Sequence, residues 1–201
     1  MMSLAPDLSK VELRSRLRKI RSAILPAQRQ AAAWAVTRSK PVLQRLLRGK
    51  NIALYVPVGS EFPSWPLIFT ALQRGCKVYL PRTPRFGRQL EFVRLNSLSQ
   101  WQIGPYNIPV PSHPEVCSPR KLDTVFVPLL GFDSQLARLG QGGGYYDATF
   151  AFRRLRRQWR KPKLIGLAFS SQCLVQLPLE PWDLRLDAVQ TESSYCRAAR
   201  Y

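Results

Sequence analysis

Apolar positions recur along the chain with two different periods, and the change from one to the other divides it. Leu13, Leu17, Ile20 and Ile24 are three or four residues apart, the spacing of a single helix face. Ser9 and Glu12 precede them in the arrangement of a capping box, and Pro26 closes the run, so the first element is an amphipathic basic helix. A second helical stretch is predicted from about Ala27 to Ser39. Pro41 opens a short third one carrying Val42, Leu43, Leu46 and Leu47, ended by Gly49.

Beyond Gly49 the pattern becomes short apolar runs rich in β-branched and aromatic residues: Ile52 to Val56, Val78 to Leu80, Thr124 to Val127 and Leu164 to Phe169. Such runs read as central strands buried on both faces. Between the first two, Trp65 to Arg74 has helical spacing and stops at Gly75. This strand, helix, strand order implies a parallel pair and an α/β architecture. Residues 82 to 123 are rich in Pro, Gly, Ser and Asn around pieces such as Leu90 to Leu95, and are expected to form an irregular excursion. No internal repeat or low-complexity tract interrupts the chain.

A length of 201 residues with 45% hydrophobic content suits one well-packed domain spanning 1–201. No apolar run approaches the ~20 residues that cross a bilayer, and no secretory core is evident, so a soluble protein is expected. The first 40 residues hold many Arg and Lys and only Asp7 and Glu12, a composition shared with mitochondrial presequences; the helical pattern running on into folded chain favours retention. Cys76, Cys117, Cys173 and Cys196 form no CxxC pair, which excludes the common zinc and disulfide frameworks and fits a reducing cytoplasm. The single histidine, His113, lies in a Pro-rich stretch that reads as surface loop, leaving a Ser/His/Asp triad nothing to work with. The net charge of +19 biases encounter toward anions, either nucleic acid or phosphorylated and carboxylated small molecules.

The most informative stretch runs from Phe126 to Asp147. A buried strand and Gly131-Phe132-Asp133 lead into Arg138-Leu139-Gly140-Gln141-Gly142-Gly143-Gly144-Tyr145-Tyr146-Asp147, with a helix expected to follow. Glycines there free the backbone to turn its N–H groups toward one point, and the helix adds its positive end, so the segment is suited to phosphate oxygens. It is neither a P-loop, because no GK[ST] follows, nor a GxGxxG turn. Arg138 supplies a candidate fixed charge, and Asp147 a carboxylate able to hold magnesium bound to phosphates. In a chain with only 12 acids, three more lie where strands are expected to end: Glu61 after the first, and Asp183 and Asp187 after the last. Acids there match the usual cleft of an open α/β sheet.

Taken together, RLGQGGGYYD, the preceding VPLLGFD, the early YVPVGSE and the closing LPLEPWDLRLDAVQTE resemble the 5-formyltetrahydrofolate cyclo-ligases from about Lys10 to Glu192. RLGxGGGYYD is the specific element; Lys10 with Arg14, and Glu61, add weight through their order. Trp182 is a departure, since many members read His-Asp where this chain reads Trp-Asp. The resemblance implies a Rossmann-like, open, mostly parallel sheet flanked by helices with an N-terminal helical segment, similar to sugar-phosphate isomerase and CoA-transferase folds. It implies ATP-dependent closure of 5-formyltetrahydrofolate to 5,10-methenyltetrahydrofolate through an iminium phosphate, with magnesium as cofactor. It further implies that Lys10, Arg14 and the segment Arg138 to Tyr146 hold ATP, with Arg138 and Asp147 catalytic. Asp147 and Asp183 would serve the metal, and Val56 and Glu61 the folate, with Tyr145 or Tyr146 stacking on its ring. Asp187 is left as a structural or supporting acid, and a monomer is the default expectation.

The basic run Arg153, Arg154, Arg156, Arg157, Arg160, Lys161 and Lys163 follows Phe152, Leu155 and Trp159, which suits the buried face of one helix with a solvated basic side. A landing patch for a polyglutamate tail and nonspecific nucleic-acid contact remain open for it. The rival reading from another class is an RNA-binding protein, motivated by the charge and by Trp34, Trp101 and Trp159. That reading leaves the glycine loop without a purpose.

Overall fold

The computed structural model describes residues 8–97, 99–155 and 161–197. It opens with α1 (Lys10–Ser22), whose Ser9 and Glu12 make the reciprocal capping box, followed by α2 (Pro26–Thr37) and the single turn α3 (Lys40–Leu43). The βαβ unit comes next: β1 (Asn51–Ala53), α4 (Trp65–Gln73) and β2 (Lys77–Arg82), with β1 and β2 parallel. β1 is shorter than the apolar run Ile52 to Val56. Leu54 still donates to the Tyr79 carbonyl, but Pro57 has no N–H to offer, and the Tyr55 carbonyl turns to the Ser64 hydroxyl at 2.5 Å.

The excursion from 82 to 123 is more regular than its composition predicts. β3 (Glu91–Leu95) pairs antiparallel with β2 and carries β6 (Val116–Cys117) on its outer edge, so the segment widens the main sheet. β4 (Gln100–Ile103) and β5 (Pro109–Ser112) form a separate hairpin. Two prolines in β5 obscure the strand in the sequence, and a two-stranded edge is where a strand tolerates residues without an N–H.

β7 (Thr124–Pro128) then enters beside β1 on the side opposite β2, and a small sheet follows from β8 (Gly131–Asp133) and β9 (Arg138–Leu139). Next come α5 (Tyr145–Thr149), β10 (Lys163–Leu167), β11 (Cys173–Leu174), β12 (Ala188–Gln190) and β13 (Tyr195–Arg197). The main sheet runs β13-β12-β10-β7-β1-β2-β3-β6, with the five strands from β12 to β2 all parallel. This is the open, mostly parallel α/β sheet the sequence implied. Strand order reverses between β7 and β1, and a crevice forms at that point beyond the carboxyl ends of the strands.

Alternation along the strands feeds two buried layers. Ile52, Val78, Leu80, Phe126 and Ile165 face α2, α3 and α4, while Ala53, Tyr79, Val125, Val127 and Leu164 face Phe92, Phe150 and Leu186. A third cluster packs Leu13 and Leu17 of α1 against Leu130, Ala137, Leu139, Leu174 and Leu177, so α1 rests on the small sheet β11-β8-β9.

The basic run after α5 departs from the single helix expected. α5 ends at Thr149, and a separate 3-10 turn covers Ala151–Leu155. Arg153 is buried and pairs with Asp187 at 2.6 Å, Lys163 reaches the same carboxylate at 3.5 Å, and Lys161 pairs with Asp123 at 2.7 Å. These cations neutralise internal acids and do not form one solvated face; Arg156, Arg157, Trp159 and Arg160 lie outside the described residues. Leu17 is fully buried. Leu17→Ala is expected to cost about 2–5 kcal/mol in urea denaturation, the range for a buried leucine that leaves a cavity.

Candidate active site

One flank of α1, about a quarter-turn around the helix from Leu13 and Leu17, carries Lys10, Arg14, Arg18 and Arg21, spaced by four, four and three residues. At ~1.5 Å rise per residue these cations form a rail roughly 16 Å long. Each touches a different part of the crevice wall. Lys10 Nζ pairs with Asp183 Oδ2 at 2.5 Å. Arg14 Nε donates to the Gly140 carbonyl at 3.0 Å, and Arg18 Nη2 to the Gln141 carbonyl at 3.2 Å. Arg21, nearly inaccessible, donates to Ser60 Oγ at 3.1 Å and to the Leu129 carbonyl at 3.3 Å.

The glycine segment follows β9 and turns into α5. Gly144 takes φ +68° in the left-handed region as it caps the helix, a conformation L side chains rarely adopt. α5 is only five residues long, so the positive helix end expected from the sequence shrinks to little more than one turn. Cations from elsewhere make up the field: Arg14 on one side of the loop and Arg88, whose guanidinium faces Gly144, on the other.

Arg138 and Asp147, both expected to meet ligands, also meet each other. Arg138 Nη2 lies 3.0 Å from both Asp147 oxygens, its Nη1 donates to the Pro128 carbonyl at 3.3 Å, and its guanidinium sits 5.7 Å from the Tyr146 ring centre. The Leu184 N–H adds a third bond to Asp147, at 3.0 Å. Burial pushes the Asp147 carboxyl up, but the Arg138 charge and the Leu184 hydrogen bond outweigh it and hold the group below the usual carboxylate range. The pair thus clamps both ends of the glycine loop to the exit of β7.

On the other wall, Glu61 accepts from the Val58 N–H at 3.1 Å and from Gln141 Nε2 at 3.2 Å. Tyr145 meets Tyr106, at the tip of the β4-β5 hairpin, through their hydroxyls at 2.8 Å, and that bond, with some desolvation, raises the Tyr145 hydroxyl. Tyr146 is held further inside, where burial pushes its hydroxyl well up.

One cleft of about 1290 Å³ is lined by every residue singled out in the sequence: Lys10, Arg14, Val56, Glu61, Asp183 and the whole segment from Arg138 to Asp147. That volume exceeds the roughly 300–1,000 Å³ usual for one small ligand and leaves room for two. Asp187 lies outside the lining, paired with Arg153. Arg18, Arg21, Tyr55, Arg88 and Tyr106 line the cleft without having been singled out. A helical wheel begun at Lys10 reaches Arg18 and Arg21; nothing local marks Arg88 or Tyr106. Trp182, the departure from the family pattern, is 60% exposed at the cleft wall.

Among the described residues no three His, Cys, Asp or Glu side chains gather as a metal cage. Asp183, on the cleft lining, accepts from Lys10 and from the Glu180 N–H at 2.7 Å through Oδ2, and among the described residues Oδ1 takes no hydrogen bond. One or two carboxylates beside a phosphate nest fit magnesium that arrives on nucleotide phosphates and keeps several waters.

A model of the 5-formyltetrahydrofolate cyclo-ligase family matches residues 7–192. The chain belongs to that family. It is similar to the 5-formyltetrahydrofolate cyclo-ligase of Haemophilus influenzae, 32% identical over 181 residues that cover 87% of this chain and 93% of the relative. The mouse cyclo-ligase is 28% identical over 96% of this chain and 98% of its own length. Among solved structures, the 5,10-methenyltetrahydrofolate synthetase of Aquifex aeolicus superposes with a TM-score of 0.77 at 28% identity, covering 96% of both chains. Family membership gives the cyclo-ligase cleft its two expected occupants, a nucleotide and a folate.

The lowered Asp147 value makes part of the stability pH-dependent. A carboxyl whose folded value lies below its unfolded value, about 3.9, contributes fully above that value and loses its contribution as pH falls through the folded one. The stability gap between the native chain and Asp147→Asn, followed by chemical denaturation, is expected to be flat from about pH 7 to pH 5 and to narrow below about pH 4.

Proposed function

We propose that the chain couples ATP cleavage to the closure of 5-formyltetrahydrofolate into 5,10-methenyltetrahydrofolate. The observation that carries this reading is the single cleft, with a cation rail and glycine loop along one wall and Glu61, Val56 and the tyrosines along another. Family membership supplies the substrates. The formyl oxygen takes the terminal phosphoryl group as the bond to ADP breaks. N10 of the folate then attacks the formyl carbon and loses its proton, and the carbon–oxygen bond to phosphate breaks.

None of these steps needs an enzyme nucleophile, because phosphorylation turns a poor leaving oxygen into a good one. The protein's task is positioning and charge neutralisation. Lys10, Arg14 and the loop from Arg138 to Tyr146 hold the triphosphate, and the Arg138–Asp147 clamp keeps that loop in shape. Asp183 and Asp147 would hold magnesium, which would supply further neutralisation of phosphate charge. Glu61 accepts hydrogen bonds from the pterin edge beside Val56, and Tyr145 or Tyr146 covers the ring face. The lining holds eight Lys or Arg against four Asp or Glu, an excess that suits two anionic substrates. Four free cysteines, and no described helix long and apolar enough to cross a membrane, support placing the enzyme in the cytoplasm.

Purified protein supplied with ATP, magnesium and 5-formyltetrahydrofolate is expected to form the methenyl product, read by its near-ultraviolet absorbance, and to form none when any component is omitted. Arg14→Ala should raise the KM for ATP about 10- to 100-fold, the worth of a charged hydrogen bond, with little change for the folate. Glu61→Gln should do the reverse. A pair of variants that shifts both constants equally would mean that the two walls do not divide the substrates this way.

A further inference from the structure

The reaction outlined above leaves two cations of the α1 rail, Arg18 and Arg21, without work, and of the two only Arg21 is buried. It is only 4% exposed, yet it lines the cleft. Its Nε is taken by Ser60 Oγ and its Nη1 by the Leu129 carbonyl, both neutral acceptors. Among the described residues its Nη2 makes no hydrogen bond and no carboxylate lies within ion-pair distance of it. A guanidinium has five N–H donors, and burying one beside neutral partners alone is costly. Burial pushes its pKa down, while the charge of Glu61 acts the other way.

Its neighbours identify the half of the cleft it serves. Ser60 precedes Glu61 in the chain, and Leu129 follows Pro128 at the carboxyl end of β7, so Arg21 stands beside the folate wall and beyond the glycine loop. Glu61 there provides acceptors and Arg21 provides donors. One edge of a pterin carries the complementary set in order: the 2-amino group and N3–H as donors, then the 4-oxo group as acceptor. We infer that Arg21 donates to the 4-oxo oxygen while Glu61 accepts from the other two groups, and that Arg21 thereby selects 4-oxo over 4-amino pteridines. This deepens the folate reading of the site and rests on it.

Selection of this kind follows because a 4-amino pteridine turns the acceptor into a donor facing a buried cation and also lacks the N3 proton that Glu61 receives, and a site built to pair polar groups strongly rejects such mismatches. The test compares 5-formyltetrahydrofolate with its 4-amino counterpart by calorimetric titration of the full chain. The wild type is expected to bind the 4-oxo ligand at least about tenfold more tightly. Arg21→Gln should reduce that preference at least about threefold while ADP affinity stays within about twofold of wild type, the remaining preference being that of Glu61 for N3–H. Equal binding of both pteridines by the wild type overturns the role of Arg21, as does a folded Arg21→Gln variant that keeps the wild-type preference. Should that variant not fold, Arg21→Met, which keeps the apolar stem, takes its place in the same comparison. Binding of neither pteridine removes the folate reading itself, an outcome distinct from equal binding of both.

Discussion

Burial of Leu13 and Leu17 against the small sheet fixes the rotation of α1, and through it the direction of the cations on the neighbouring flank. Helix geometry leaves little slack in this arrangement: turning the leucines onto the small sheet turns Lys10, Arg14, Arg18 and the buried Arg21 along one line toward the cleft. The small sheet that receives the leucines also delivers the glycine loop, since β9 ends at Leu139 and the loop begins at Gly140. One apolar contact therefore sets the distance between the rail and the loop. A helix anchored only by its charges would be free to slide and roll along the crevice.

The buried Arg138–Asp147 pair works inside this frame as a local constraint. Two charges taken from water gain little net stability from each other, and either left alone is strongly unfavourable. The geometry is accordingly well satisfied, with bonds from Asp147 to Arg138 and the Leu184 N–H, and from Arg138 on to the Pro128 carbonyl. The consequence is a glycine loop with little freedom at its ends and backbone N–H groups free in its middle. Groups fixed before phosphate arrives need not reorganise as charge moves during transfer, which is how a site without a nucleophile accelerates the reaction.

Much of this was legible in the sequence because its signals were of long period or of unusual composition. The α1 stripe, the buried runs at Val78, Thr124 and Leu164, and three glycines in a row before two tyrosines have few alternative readings. What escaped was set by contacts between distant segments. β5 reads as loop because of its prolines, and only pairing with β4 makes it a strand. The helix expected through Phe152 and Trp159 stops at Thr149, after which Arg153 turns inward to Asp187, an attraction between residues 34 apart that no local pattern reveals. Arg21 looked like any other base in an arginine-rich helix; its value comes from Ser60 and Leu129, which the fold brings to it.

The +19 charge takes on meaning once the acids are traced. Asp123, Asp147, Asp183 and Asp187 are all engaged with cations of the same chain, so the few carboxylates are largely neutralised internally. Arg82 and Arg94 pair with Glu91 and Glu115, but bases far outnumber acids, and those on the cleft wall, Arg14, Arg18 and Arg88, face the space where two anions must meet. Field lines from such bases are focused by a concave, low-dielectric wall, which raises the local concentration of both substrates before either is bound. Once they are bound, Gln141 links the two halves directly: Arg18 donates to its carbonyl, and its side-chain amide donates to Glu61. On the proposed division of the cleft, a nucleotide that orders the glycine loop would also order Glu61, the carboxylate assigned to the folate, so the binding of each substrate would depend on the other.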